Sequence, residues 1–298
     1  AIRTMPILKW ALLALALMPM TISQAASHSV DGLLTGLCFL YMARIARAAW
    51  DETAHPDWRE IILWGGMLAM ITLCKPAYLF LGMLVLLVPA RKFGSRWRLI
   101  LALLIVGIMA ALAYLGWMQA LAAQGINMAT AEYYDPLMQI RAIQSAPLAY
   151  GILLFETIKR MVLPWVVSAI GYFGWLNQPQ PPIVYPLYIL FAFILTLFDN
   201  HYQGKQVRVW QRFISAFVIA AHVAAISTSV YVISHPVNYG KIEGVQGRYF
   251  IPMGILLSMT ISNKVLRLPT WAVKVWATLG STAFLIVAVL IVGSRIQF

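Results

Sequence analysis

Blocks of apolar residues alternate with short polar links along almost the whole chain. The pattern predicts helices at 7–22, 32–48, 61–74, 77–89, 99–120, 184–198, 213–233, 251–261 and 275–292. Several of these blocks approach the roughly 20 residues that a helix needs to cross a hydrocarbon core about 30 Å thick. Two are unusually short: 61–74 and 77–89 supply only about 20 Å of helix each. Their junction, Lys75-Pro76, is therefore expected below the membrane surface. Proline breaks the helix there and leaves an amine that is costly to desolvate. Region 125–183 does not read as a simple span. Asp135-Pro136 has the form of an N-cap with proline at the first helical position, opening a short helix to about residue 145. Beyond Pro147, the interruptions Glu156, Lys159, Arg160 and Pro164 predict helices lying along the interface. Gly171-Tyr172-Phe173-Gly174-Trp175-Leu176-Asn177 and the prolines after it predict a stiff, aromatic surface loop.

Composition sharpens the fold class. Of the 298 residues, 61% are hydrophobic and 11% charged, with a mean hydropathy of +0.79. A water-soluble domain has no use for so much apolar surface, so the chain is expected to be all-α and polytopic, with about nine transmembrane helices plus interfacial ones. It reads as a single integral-membrane domain, 1–298, with an interfacial or external region near 121–182. The first block, with Arg3 and Lys9 before it and Ser23-Gln24-Ala25-Ala26-Ser27 after it, also imitates a secretory signal. Pro19 within it and the many blocks that follow favour a retained span.

The formal charge of +12 would suit nucleic acid. However, the basic residues sit in short loops between apolar blocks, which is the pattern of positive-inside topology and anionic lipid. With an inward amino terminus, all but seven of the 22 Lys and Arg fall on the inner side; the seven are Lys75, Arg141, Lys159, Arg160, Lys241, Arg248 and Arg295. Nucleic acid is excluded as a partner, and membrane lipids are implied. Cys38 and Cys74 lie in apolar blocks without metal-ligand spacing and read as small packing residues.

This topology collects His28, Asp31, Lys75, Glu132, Asp135, His235, Lys241, Glu243 and Arg248 on or just beneath the non-cytoplasmic face. Asp31 opens a helix and reads either as its N-cap or as a site carboxylate. Arg248, in Gly244-Val245-Gln246-Gly247-Arg248-Tyr249-Phe250-Ile251-Pro252, reads either as a snorkelling helix-end arginine or as a guanidinium placed to grip a phosphate. Lys75 favours a functional role. His28 and His235 fit loop histidines, Glu132 and Asp135 solvated loop carboxylates, and His222 a hydrogen bond between helices. No phosphate-binding glycine loop, zinc motif or catalytic-triad signature is present.

Pro19, Gln24-Ala25-Ala26-Ser27, Ser29-Val30-Asp31, Lys75-Pro76, Pro147, Ile170-Gly171-Tyr172-Phe173-Gly174-Trp175-Leu176 and the 244–252 motif occur in an order that resembles a bacterial family of predicted membrane proteins, domain of unknown function 2142. That family is similar to the GT-C class of integral-membrane glycosyltransferases. The resemblance implies a GT-C-like enzyme of the bacterial inner membrane, with its site on the non-cytoplasmic side. Such an enzyme moves a sugar from a polyprenyl-phosphate carrier to a glycan or lipid acceptor of the cell envelope. It implies Asp31 as the catalytic position, with Lys75, Arg248, Gln246, Tyr249, Lys241 and His28 around the lipid phosphate or substrate. Whether a divalent cation takes part stays open, and no metal ligand set is expected. Members of the family are longer at the amino end, so the resemblance also implies that the first spans and the usual catalytic loop precede Ala1. The alternatives are a transporter or flippase for lipid-linked sugars, or a non-catalytic membrane assembly partner.

Overall fold

Pro19 divides the first apolar block, which the sequence pattern predicts as one span. The computed structural model, which describes residues 1–124, 135–174, 177–199, 206–263, 266 and 268–295, shows two short helices there, α1 (Lys9–Ala16) and α2 (Pro19–Ala26). Proline has no N–H to give the Leu15 carbonyl, its partner in an unbroken helix. The Thr21 hydroxyl takes that carbonyl instead, at 2.7 Å. The expectations for Trp175, Leu176, Glu132, Lys205, Lys264 and Arg267 lie outside the described residues.

Next come α3 (Val30–Trp50) and α4 (Trp58–Cys74), then a 3-10 helix at Pro76–Leu87 and a short one at Ala90–Phe93. The chain breaks at Lys75-Pro76 as predicted. A 3-10 helix rises about 2.0 Å per residue, so its 12 residues extend roughly 24 Å against roughly 18 Å in α form. Further on, α5 (Arg96–Ala123), α6 (Pro136–Ser145) and α7 (Pro147–Gly171) follow. Asp135 caps α6, its side chain accepting from the Met138 N–H at 2.9 Å. The interrupted interfacial helices expected after Pro147 are one continuous 25-residue helix, which carries Pro164 inside it. Two-residue strands β1 (Tyr172–Phe173) and β2 (Gln178–Pro179) then pair antiparallel, Tyr172 opposite Pro179. The chain continues with α8 (Val184–Phe198), α9 (Val209–Ser234), a 3-10 turn at Gly247–Phe250, α10 (Met253–Ile261) and α11 (Thr270–Arg295).

Among the described residues, four helices, α3, α5, α9 and α11, are long and apolar enough to cross a membrane; the Pro76–Leu87 helix and α8 are apolar but shorter. Helix α3 is central, with 61% of its apolar window buried against 17% for α5 and for α11. Around it, Tyr41, Trp64, Leu68, Ile71, Tyr78, Leu81 and Leu84 are fully buried. The outer helices instead expose Leu104, Ile108 and Leu112 on α5, and Leu279, Val289 and Leu290 on α11. Apolar faces of that extent belong against lipid rather than water.

Helices α3 and α4 run antiparallel, with a loop of charged residues at one end. There Arg44 forks onto Glu60, its Nε 2.8 Å from Oε1, and the Trp64 indole donates to the same oxygen at 2.8 Å. At this end Arg212 also donates to the Thr260 and Ser262 carbonyls, capping the last turn of α10. Asp199, just past α8, accepts from the Trp10 and Ala11 N–H groups at 2.6 and 2.7 Å and so closes the amino end of α1. A cavity of about 570 Å³ lies here, lined by Arg3, Lys9, Arg47 and Asp199 among others.

Candidate functional site

Three charged residues from distant parts of the chain meet at the other end of α3 and α4. Each stands beside a residue that fixes its backbone. Asp31 lies in the first turn of α3, followed by Gly32, where a Cβ would come within 2.6 Å of the Gln24 carbonyl oxygen. Only glycine lets α3 begin so close against the end of α2. Lys75 is the residue at which α4 ends, held in extended backbone by Pro76. Arg248 follows Gly247, where a Cβ would stand 1.8 Å from the Trp165 carbonyl oxygen. The Gly247 N–H donates to the Ser168 hydroxyl at 3.0 Å, and the Trp165 indole donates to the Val245 carbonyl at 3.0 Å. The segment bearing Arg248 is thus seated directly on the backbone of α7.

Between them the carboxylate is shared. Lys75 Nζ lies 2.5 Å from Asp31 Oδ1, and Arg248 Nε lies 3.2 Å from Asp31 Oδ2. The side chains are 16% exposed for Asp31, 25% for Lys75 and 29% for Arg248, so the cluster is sunken yet reachable. The Lys75 ammonium also sits 3.6 Å above the centre of the Tyr249 ring, with the Arg248 guanidinium carbon at 5.7 Å. Such a cation–ring contact holds the ammonium without neutralising it. One negative and two positive charges leave the cluster at a formal +1. Among the described residues, the terminal nitrogens of Arg248 donate no hydrogen bond, so the guanidinium fork remains open to a planar or tetrahedral anion.

The alternative readings of these residues can now be separated. The N-cap of α3 is Ser29, not Asp31, so the carboxylate is not spent on capping. Arg248 turns onto Asp31 rather than snorkelling outward alone. Tyr249 joins the cluster through its ring. Gln246 is half-buried, with its side-chain oxygen unpartnered among the described residues. Lys241 and His28 are exposed and take no ion pair among the described residues. His235 is structural, accepting the Glu243 N–H at 3.1 Å between the rings of Tyr231 and Tyr239. The cavities of about 570, 400 and 290 Å³ do not include Asp31, Lys75 or Arg248 in their linings. The cluster is a partly buried recess formed by three charged side chains. Among the described residues, no three His, Cys, Asp or Glu side chains stand together as a metal site.

Beneath the cluster lies a layer of which the sequence showed only part: His222 makes a bond to another segment, as expected, while its acceptor and the role of Tyr78 were not foreseen. The Tyr78 hydroxyl donates to the Tyr249 carbonyl at 2.8 Å, and His222 Nε2 faces the same oxygen at 3.2 Å. Tyr78 lies three residues after Lys75, a spacing that puts the two on one face of a 3-10 helix. His222 is the one ionisable side chain of its apolar block other than Tyr231.

A family model described as predicted membrane protein (DUF2142) matches residues 1–257. No curated protein and no solved structure matches the chain.

Proposed function

Because the chain belongs to this family of predicted membrane proteins, we propose that the Asp31–Lys75–Arg248 cluster is the catalytic site of a GT-C-like glycosyltransferase. On this reading the enzyme crosses the bacterial inner membrane about nine times, with short and broken segments completing the crossings. Its site faces the non-cytoplasmic side, and the donor is a polyprenyl-phosphate sugar. The observation that carries the reading is the spare positive charge: two cations on one carboxylate, half-sunken at the ends of apolar helices.

A lipid-borne phosphate fits this arrangement. Its tail lies among the exposed apolar faces while its headgroup meets Lys75 and the open fork of Arg248. As the phosphate draws the two cations toward itself, Asp31 is released from them. The carboxylate then accepts the proton of the acceptor hydroxyl while that oxygen attacks the anomeric carbon. The anomeric C–O bond to phosphate breaks, the bond electrons leave on the carrier phosphate, and the product is inverted. Lys75 and Arg248 stabilise the charge that grows on the departing phosphate. Gln246 and Tyr249 flank the recess, and a glycan or lipid acceptor of the cell envelope enters from the aqueous side.

The test is transfer from radiolabelled polyprenyl-phosphate sugars by purified full-length protein, beside Lys75→Met and Arg248→Met. The reading expects transfer by the wild type and a loss of about 10²–10³-fold in either variant. Absence of transfer across a broad donor panel overturns it and favours a flippase or an assembly role.

A further inference from the structure

Tyr249 touches the cluster with its ring and the protein interior with its carbonyl. The ring lies 3.6 Å beneath the Lys75 ammonium. The carbonyl receives two buried groups, the Tyr78 hydroxyl at 2.8 Å and His222 Nε2 at 3.2 Å. A carbonyl oxygen only accepts, so His222 carries its proton on Nε2. The imidazole is fully buried and wedged edge-on between two rings, Tyr78 at 4.3 Å and Phe250 at 6.0 Å. It is therefore held in one position by these contacts.

We infer that His222 is a positioning residue: by holding the Tyr249 carbonyl together with Tyr78, it sets the ring that supports Lys75 against Asp31. None of the three charged side chains of the cluster forms a hydrogen bond or ion pair with His222. Its influence passes through one peptide, whose carbonyl is pinned from α9 and from the 3-10 helix that begins beside Lys75. Tyr78 and Lys75 belong to the same break in the chain, so the carbonyl also ties Lys75's own segment to the segment bearing Arg248. A bland packing role for a buried histidine does not require two donors on one oxygen, nor that oxygen's residue to lie under a cation.

The inference adds a residue to the proposed site, but its test needs no ligand and no transfer activity. In full-length protein in detergent, Lys75 is labelled with an amine-reactive reagent and quantified by mass spectrometry, with exposed Lys241 of the same chain as the internal standard. In His222→Phe the Lys75-to-Lys241 labelling ratio is expected to rise by about threefold or more, because the ring no longer holds the ammonium. His222→Gln, whose amide can return an N–H to the carbonyl, is expected to restore the wild-type ratio, and Tyr78→Phe to raise it. Should His222→Phe not fold, His222→Leu, which also lacks an N–H donor, is measured in its place. An unchanged ratio in a folded donor-less variant overturns the inference, as does a ratio in His222→Gln no closer to wild type. If labelling shifts as expected while no sugar is transferred by any form, the positioning role stands and the glycosyltransferase reading falls.

Discussion

Helices α3 and α4 are clasped at both ends by charged side chains, roughly 20 Å apart along α3. At one end Glu60 meets a single cation, Arg44, and both carboxylate oxygens are occupied, with Trp64 completing the set. Charge cancels and the guanidinium fork is filled. At the other end Asp31 meets two cations, neither of them fully used. Both clasps join the same helices, yet only the second carries surplus charge and an open fork. A balanced pair is sufficient to fix helix register; a second cation adds repulsion that packing alone has no reason to keep. On the proposed reading, this asymmetry is what makes the Asp31 end the receiving one.

The largest effect that would break this comparison lies at the surplus cations. Lys75→Met and Arg248→Met are each expected to lower transfer by about 10²–10³-fold, equivalent to about 3–4 kcal/mol of transition-state stabilisation. Each leaves Asp31 one cation, so detergent melting should change little. A melting loss as large as the activity loss would make the second clasp structural, like the first.

Next in size is the balanced pair. Glu60→Gln leaves Arg44 without its partner charge in a setting where each side chain is about a quarter exposed. Breaking such a pair is expected to cost about 2–3 kcal/mol of stability, the lower end of the range for buried pairs because water still reaches it. Transfer per folded molecule should be unchanged. If activity falls and melting does not, the two ends have been assigned the wrong way round.

A third carboxylate sharpens the contrast. Burial pushes the Asp199 carboxyl up to about 7, although the Ala11 and Trp10 N–H groups and Lys9 pull it the other way. A folded-state value above the unfolded value near 3.8 means that the native protein binds more protons between those pH values. Stability contributed by this group is therefore greatest below about pH 4, falls as pH rises to about 7 by at most about 1.4 kcal/mol for each pH unit, and is flat beyond. Asp199→Asn should flatten that stretch of the melting-temperature profile. Asp199 joins α1 to α8 with no cation fork at all, so its removal should leave transfer at neutral pH intact.

How far the sequence carried these conclusions differs between the two clasps and the layer under them. Hydropathy located α3, α4, α8, α9 and α11 because long apolar blocks have one economical state in lipid. The Lys75-Pro76 break was legible because proline and a short block pointed the same way. The Asp31–Lys75–Arg248 meeting was expected from the shared face and from the family resemblance; the pairing distances come from close approaches at Gly32 and Gly247 that no spacing reveals. The split of the first block turned on one proline and one threonine. The continuity of α7 through Pro164 is the reverse case, where tertiary packing outweighs the local signal. His222 was legible as a hydrogen-bonding residue, but its acceptor and the part played by Tyr78 stayed hidden because a buried donor aimed at a backbone carbonyl leaves no motif.

The smallest expected effect tests whether the site is a matter of position or merely of charge. Lys241 lies on the same link as Arg248 and is exposed, with no ion pair among the described residues. If the recess captures its ligand by net positive potential alone, removing any cation at this end should weaken capture equally. If capture depends on the two cations facing Asp31, a rim charge contributes mainly to steering, which salt screens over about 8 Å at physiological ionic strength. Lys241→Ala is therefore expected to change transfer by less than about threefold at that ionic strength, and to alter its salt dependence more than its plateau. A loss approaching that of Arg248→Met would mean that the anion is held by the whole basic rim, and the distinction between the two ends of α3 and α4 would reduce to which end is more positive.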